Sequence, residues 1–585
     1  MMIVGLSGVC FGQTGSSSPD PLIGLWGGQP VLGPQVLGEL AIDGTGPKWN
    51  ITISGFDVEV ERSGDEIQFA LPSGLGHFRG HVSEQTKQIR GYWIQPPGAF
   101  LDSEYASPIE LSAVEPHRWV ARADPLPDSG LLYFFFQHAF DGSVNAIIRN
   151  RESSWLSRGT YRVEHEGSKI VLTNGQRRLE GRYDAKTDRL NFELVGNGLN
   201  FTLMLSRRNR SDAFGFYPRV PTQGQNYIYR QPVREDDGWS TGSLQEVGID
   251  PKLIDALMQS VLDTDPVDPH SVLTHSVLIA RHGRLVLEEY LYGYDRERAH
   301  NMYSAGKTIA PLLVGVARDH GAKIDPSTPA YSLFGSAGKF ANWDERKKKL
   351  TVEDLMDMTS GLACDENDPS SPGNEDRMQS QTQEPDWYKY TLDLPMVHDP
   401  GGNTAIYCSA SLNLVGGLAG KAAGRWNADL FYDYVAKPLQ FGRYYLNLTP
   451  NGDLYTGGGA YLRPRDELKL GQLYLSSGVW NGRRVLDREW VERSTATHST
   501  FLKGVTPTDK NHEYGYGWHI HHLIVGGHDY REYAAEGNGG QLIMVLPELD
   551  MVVAVNGGNY GRSADWYPWG QEALSKYLIP AATGK

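Results

Sequence analysis

The chain is short of most features that would fix its class at a glance. It has three cysteines in 585 residues, too few for a domain built on disulfides. It has no HExxH and no CxxC spacing to mark a metal centre. Positive charge is scarce: 55 Lys and Arg stand against 70 Asp and Glu, a formal net charge of -15. That balance disfavours nucleic acid and anionic membranes as partners, because both are held by excess cations. No apolar run approaches the roughly 20 residues of a membrane span. What remains is a globular composition, with 11% aromatic and 21% charged residues. At this length two or three domains are expected, each able to bury its own core.

The amino end, MMIVGLSGVCFG followed by GQTGSSSPDP, reads in two ways over residues 1–20. It is either a shortened export signal lacking its basic start, which would make the protein secreted or periplasmic, or an unremoved frayed tail. Cys10 lies within it. Cys364 and Cys408 are then one potential pair in an oxidising compartment, or two buried thiols.

Residues 21–208 alternate apolar and polar positions between Gly, Asn and Asp turns, which predicts an all-β domain, barrel or sandwich. GDEIQFALPSGLGHFRGHVSEQTKQIRGYW resembles GSKIVLTNGQRRLEGRYDAKTDRLNFEL in its succession of strands and turns, an internal repeat. Residues 209–244, with Pro, Gly and the charged VREDDGWSTG, read as a linker. From residue 245 the pattern changes. DPKLIDALMQSVLD predicts a helix opened by Asp-Pro, SVLIARHGRLVLEEYLYGY two strands around a His-Gly turn, and SAGKTIAPLLVGVARDHG a buried helix closed by Gly321. A second strand pair, GQLIMVLPELDMVVAVNGG, completes an antiparallel sheet covered by helices over residues 245–585.

A Ser-x-x-Lys spacing has chemical meaning where it opens a helix, because residues three apart share a face and the ammonium then lies beside the hydroxyl. It occurs twice, at Ser304–Lys307 and Ser336–Lys339. Ser336 sits in a loop-like stretch where Lys339 would be hydrated. Ser304 begins the most apolar helix, where burial is expected to lower the Lys307 pKa enough for it to accept a proton from the serine. The bland reading of Ser304 is a helix cap. A rival Gly-x-Ser-x-Gly at 238–242 lacks the flanking strand and helix that such an elbow needs. Tyr-x-Ser occurs at Tyr105, Tyr407 and Tyr474. Tyr407 alone follows a Pro-Gly-Gly turn and enters a helical run, so its phenol can point into a cleft and move a proton. Glycines 537, 539 and 540 beside a strand allow close backbone approach to a ligand and a free N–H as oxyanion donor. His519 and His521 in WHIHHLIV share one face of an extended chain and read as a polar strand edge, with no metal or cofactor expected. Trp518 is a candidate for lining the substrate cleft or the core.

These motifs carry a resemblance. YSAGK at 303–307, LTVEDLMDMTSGL at 350–362, PGGNTAIYCS at 400–409, GGGAYLRPRDELKLGQLYL at 457–475, YGYGWH at 514–519 and EGNGGQ at 536–541 follow the order seen in serine β-lactamase-like and penicillin-binding-protein-like hydrolases. The likeness is to the esterase and 6-aminohexanoate-dimer hydrolase branch, over about residues 245–580. It implies a β-lactamase-like α/β sandwich with an antiparallel sheet and a helical subdomain, and a site between them. By position, Ser304 matches the acylated serine, Lys307 its lysine and Tyr407 the tyrosine of the second motif. The N–H groups of Ser304 and Asn538 would form the oxyanion hole, with Ser409, Trp518, Gly537 and Gly539 near the substrate. Ser409 stands where β-lactamases usually have Asn, and Ala535 where they have Lys or His. Loss of that cation weakens the case for β-lactam and D-peptide substrates, so a small-molecule neutral ester or linear amide is the expected substrate. The alternatives are a D-amino-acid peptidase or β-lactamase, or a binding protein that kept the fold without the chemistry.

Overall fold

Alternation sets the β-rich half. In the strand Arg189–Gly196 the buried positions are Leu190, Phe192 and Leu194, and their neighbours face outward, as a period of two requires. The computed structural model describes residues 20–584 apart from 33–35, 47, 84–87, 153–155, 157–158, 176, 197, 220–225, 336–338 and 503–511. The expected export signal with Cys10, and Ser336 of the second Ser-x-x-Lys, lie outside the described residues.

The region expected to be a single all-β domain holds two closed sheets. In the first, the strand Gly24–Gly28 is flanked by Leu132–His138 and Leu199–Arg207, closing an eight-stranded barrel around Trp26, Phe134, Ile148, Leu172 and Phe192. In the second, the strand Arg118–Ala123 pairs with both Gly38–Asp43 and the far end of Tyr105–Glu115, so the strands from Gly38 to Ala123 also close on themselves, around Ile51, Phe78, Trp93 and Leu111. The repeat in the sequence is thus a repeat of barrels. Gly80 and Gly181 occupy matching places in it, each beneath an aromatic ring: a Cβ would come within 2.7 Å of Phe78 and 2.6 Å of Phe192 respectively. The second barrel is inserted into the first, and Gly28, where the first strand ends, pairs with Leu132, where the next begins.

The barrels are joined to the carboxyl-terminal half by backbone. Ala106 and Tyr105 pair with Leu446 and Asn447, and the ladder continues through Ala460–Leu462 to His300–Asn301, just before Ser304.

The carboxyl-terminal half is built on a nine-stranded sheet in which every neighbouring pair is antiparallel except the edge strand Ser240–Thr241. The predicted hairpin turns at His282-Gly283, both at positive φ (+52° and +68°), the conformation that fits the twist of a two-residue hairpin. Helices Pro251–Leu262 and Ser563–Glu572 cover one face. Ile309–Asp319 and Pro464–Leu475 cover the other, and Ser409–Ala423 packs beyond them. Asp250 caps the first helix by accepting from Lys252 N at 3.0 Å, with Pro251 in its first turn.

The stretch read as a linker is docked rather than loose. Asp237 is buried and accepts from Arg465 Nε at 2.7 Å and Nη2 at 3.0 Å, while Trp239 is buried with its indole N–H donating to Arg465 O. Ser240 lies on the sheet edge and only a short 3-10 turn, Gln245–Val247, follows, so the Gly-x-Ser-x-Gly match has no elbow.

Glu467 faces the sheet from Pro464–Leu475, almost fully buried, and accepts from Asn556 Nδ2 at 2.8 Å. Burial, the largest influence, pushes its carboxyl up to about 8. The fold therefore favours the protonated form, and this contribution is complete below the usual carboxylate range and lost as pH rises through about 8. Glu467→Gln is expected to flatten that dependence. Thermal unfolding between pH 5 and pH 9 should show the variant gaining on the parent with rising pH, by on the order of 4 kcal/mol at the top of the range. Parallel curves would contradict it.

Candidate active site

The apolar helix starts later than its sequence suggests. Tyr303–Thr308 form a tight 3-10 turn, and the α-helix begins at Ile309. In a 3-10 turn residues i and i+3 eclipse, which sets Lys307 over Ser304: its Nζ donates to Ser304 Oγ at 2.9 Å. Lys307 is 1% exposed. Tyr303, just before the serine, takes φ +46°, a left-handed conformation that costs a non-glycine residue energy and is held only by its surroundings. Part of that support is the Gly457–Gly459 loop. Gly459 N donates to Tyr303 O at 3.0 Å, and at Gly458, with φ +146°, a Cβ would stand 3.2 Å from the same carbonyl.

Tyr407 completes the group. Its ring centre lies 4.9 Å from Lys307 Nζ, and it precedes the helix Ser409–Ala423, which Cys408 caps. Cys408 is bonded to Cys364, tying the Tyr407 loop to the segment after Leu362. The expected depression of Lys307 is not found. Burial, the largest single influence, lowers it, but Tyr407 and the carboxylates of Glu375 and Glu366 together outweigh burial, and the net shift is upward. The site therefore favours the charged form of Lys307.

Glu366 and Glu375 were not singled out from the sequence, where they lie in an acidic loop with no spacing to mark them. They form the floor of the site. Glu366 accepts from Ser409 N at 2.8 Å and from Glu375 N at 2.8 Å, and Glu375 accepts from Ser409 Oγ at 2.9 Å and from the Tyr455 hydroxyl. Burial, then the neighbouring Glu375, raise Glu366. The expected substrate contact from Ser409 is therefore corrected: Ser409 is fully buried, and its hydroxyl is engaged by Glu375.

On the opposite wall, Gly537 lies flat against the serine turn. A Cβ there would come within 2.2 Å of Met302 O and 3.0 Å of Ala305 N, so only glycine lets the strand His528–Gly537 approach. Asn538 follows, its side-chain oxygen accepting from Gly561 N at 2.7 Å. Gly539 instead bridges to Asn559, beneath Tyr560, and is turned to the fold rather than to the serine. Trp518 is a core residue, fully buried between Tyr474 and Tyr533, not a cleft wall.

The polar-edge account of His519 and His521 also fails. Both are buried, and His522 is the one facing solvent. His519 stacks on Tyr407 with ring centres 6.3 Å apart. Burial takes His519 down to about 4 and His512 to about 2. Glu536, which burial would raise, is held at about 2 by His519 and His521. A separate cavity of about 260 Å³ opens beside Tyr303, lined from the inserted barrel by Leu101 and Tyr105 and from the other half by Arg298, Tyr445 and Tyr461.

A serine, a buried lysine and a tyrosine gathered at the junction of an antiparallel sheet and a helical layer agree with the comparison to known families. The family model described as Beta-lactamase matches residues 252–564. The chain belongs to the β-lactamase family. Both barrels lie ahead of the matched region. The 6-aminohexanoate-dimer hydrolase of Paenarthrobacter ureafaciens is 23% identical over 289 residues, 48% of this chain and 71% of that protein. Among solved structures, a D-stereospecific amidohydrolase from Streptomyces sp. superposes with a TM-score of 0.41 at 17% identity, covering 55% of this chain and 98% of the other. A penicillin-binding protein homologue from Caulobacter crescentus gives 0.41 at 13% identity, with 53% and 91% covered.

Proposed function

We propose that this β-lactamase-family protein is a serine hydrolase that cleaves a carboxylic ester or a linear amide through an acyl-enzyme on Ser304. The observation that carries this reading is the 2.9 Å contact between the buried Lys307 ammonium and Ser304 Oγ, with Tyr407 over the same nitrogen. Active enzyme is the form in which Lys307 and Tyr407 together hold one proton fewer than ammonium plus phenol. The pair acts as a unit, with the Tyr407 oxygen as its proton-accepting end. That oxygen takes the Ser304 proton as Oγ attacks, while the ammonium steadies the developing alkoxide. The carbonyl oxygen is received by the N–H groups of Ser304 and Asn538. Tyr407 then protonates the leaving group, and water enters by the reverse path. Ala535 is buried and uncharged, so no cation at that position meets a substrate carboxylate, which favours neutral substrates. The Cys364–Cys408 bond favours an exported, oxidising setting.

The test is pre-steady-state hydrolysis of a p-nitrophenyl ester. A burst equal to the enzyme present, with the acyl group recovered on the peptide containing Ser304, is the expected result. Linear release with no adduct on Ser304 would sink the acyl-enzyme. Nitrocefin turned over faster than the ester would move the protein to the β-lactamases.

A further inference from the structure

Three neighbouring strands bring a second cluster of chemically able side chains to the sheet face beside Tyr407. Tyr514 pairs with His519, and His519 with Ala534. Side chains alternate along each strand, so His512, His519, His521 and Glu536 fall on one face. His512 Nε2 lies 2.7 Å from His519 Nδ1, and Glu536 Oε2 lies 4.0 Å from the same nitrogen. One ligand atom from each of His512, His519 and Glu536 falls within 4.8 Å of the others. His521 is occupied differently. Its Nε2 meets Glu536 Oε1 at 2.6 Å and its Nδ1 faces the Tyr567 hydroxyl at 3.4 Å, which fixes the carboxylate and leaves Oε2 turned toward His519.

We infer that His512, His519 and Glu536 form a binding site for one divalent transition-metal ion, zinc being the ion that fits, with His521 orienting the carboxylate. Two imidazoles and a carboxylate are a donor set that zinc takes readily, with a fourth position left open. Tetrahedral bonds of about 2.1 Å hold ligand atoms about 3.4 Å apart, and the observed 2.7 Å and 4.0 Å bracket that spacing. The third separation lies within 4.8 Å, so binding requires the side chains to turn toward a common centre. Ligating carboxylates in such centres are themselves hydrogen-bonded, and His521 supplies that bond to Glu536. The alternative use of these groups is a hydrogen-bonded pair of rings that holds no ion. Position gives the site a consequence: the His519 ring stacks on Tyr407, so a bound ion adds positive charge one ring away from the proposed proton carrier.

The full chain, stripped with EDTA, is titrated with zinc against a chromophoric chelator. One zinc per chain is expected. His512→Gln and Glu536→Gln should each weaken binding by at least about a hundredfold, more than loss of an outer partner gives. His522→Asn, at the exposed His522–Asp529 pair, should leave binding unchanged. Cobalt should give visible absorption that the same two variants lose. Circular dichroism and fluorophosphonate labelling of Ser304 confirm folding of the variants; labelling that fails in every protein counts against the hydrolase and leaves the zinc result intact. Less than one zinc per parent chain overturns the site, as does unchanged affinity in the folded His512 and Glu536 variants, or loss of binding on substituting His522.

Discussion

Lys307→Met is expected to lower kcat/KM for an ester substrate by about a thousandfold or more, which corresponds to about 4 kcal/mol of transition-state stabilisation. Methionine has nearly the length of lysine and fits an apolar turn, so the change tests the charge and not the packing. Two effects are removed together. Ser304 Oγ loses its donor at 2.9 Å, and Glu366 and Glu375 lose the cation that lies among them. Glu366, already raised by burial and lowered in part by Lys307, should then rise further, and Tyr407 loses the cation that faces its ring. Ser304→Ala sets the floor, and groups acting as a unit are not additive, so the double variant should fall no further than Ser304→Ala alone. A Lys307→Met enzyme within tenfold of the parent, correctly folded, would show that the lysine is a structural filler. The measurement is steady-state hydrolysis with the burst amplitude recorded beside it, since loss of the burst locates the defect in acylation.

Arg465→Ala is expected to be the most damaging substitution away from the site. Arg465 is fully buried. Its guanidinium binds both oxygens of Asp237 at 2.7 and 3.0 Å and Glu288 at 2.9 Å, the two-pronged geometry that suits arginine. Truncation removes the two-pronged partner of Asp237 and one of the two arginines on Glu288, leaving Asp237 with Trp239 N and a Lys469 ammonium 4.0 Å away and Glu288 with Arg296 and the Tyr290 hydroxyl; breaking a buried pair from one side costs about 3–5 kcal/mol. Asp237 belongs to the segment joining the barrels to the β-lactamase-family half, and Glu288 to the strand Arg284–Tyr290. The defect should therefore appear as early melting and fast hydrogen exchange at this sheet edge. Arg465→Lys should recover little, because an ammonium cannot reach three oxygens in a plane. A midpoint unchanged by Arg465→Ala would mean that water enters and solvates Asp237 and Glu288 in the native state.

The sequence was most informative where one local rule decides the outcome. Asp250-Pro251 announced its helix, His282-Gly283 its hairpin, and Ser304-x-x-Lys307 its contact, because caps, tight turns and i, i+3 neighbours depend on few residues. It was least informative where function depends on strands distant in the chain. His512, His519 and Glu536 meet only through the pairing of three strands. Glu366 and Glu375 meet Lys307 only because a loop folds under the helix that Cys408 caps. Ser409 was misjudged, and Trp518 left open between cleft and core, for the same reason: motif position puts a residue near a site but does not say which way its side chain turns. The internal repeat was visible as strand rhythm, yet closure into two barrels depends on which edges meet, and hydrophobic alternation is the same in a sandwich. Lys307 shows a further limit. Burial was foreseen with the right sign, but it is outweighed by Tyr407 together with carboxylates whose proximity no spacing revealed.

Gly28 and Leu132 are partners across a hairpin whose connecting segment is an entire barrel. Were residues 29–131 slack when that hairpin formed, joining its ends would forfeit the entropy of a very long loop. Once the intervening strands have closed, the two ends emerge side by side and the same step becomes nearly local. Assembly should thus proceed from the inside outward: the inner cylinder matures on its own, the outer one waits for it, and the first strand is the last to find its place.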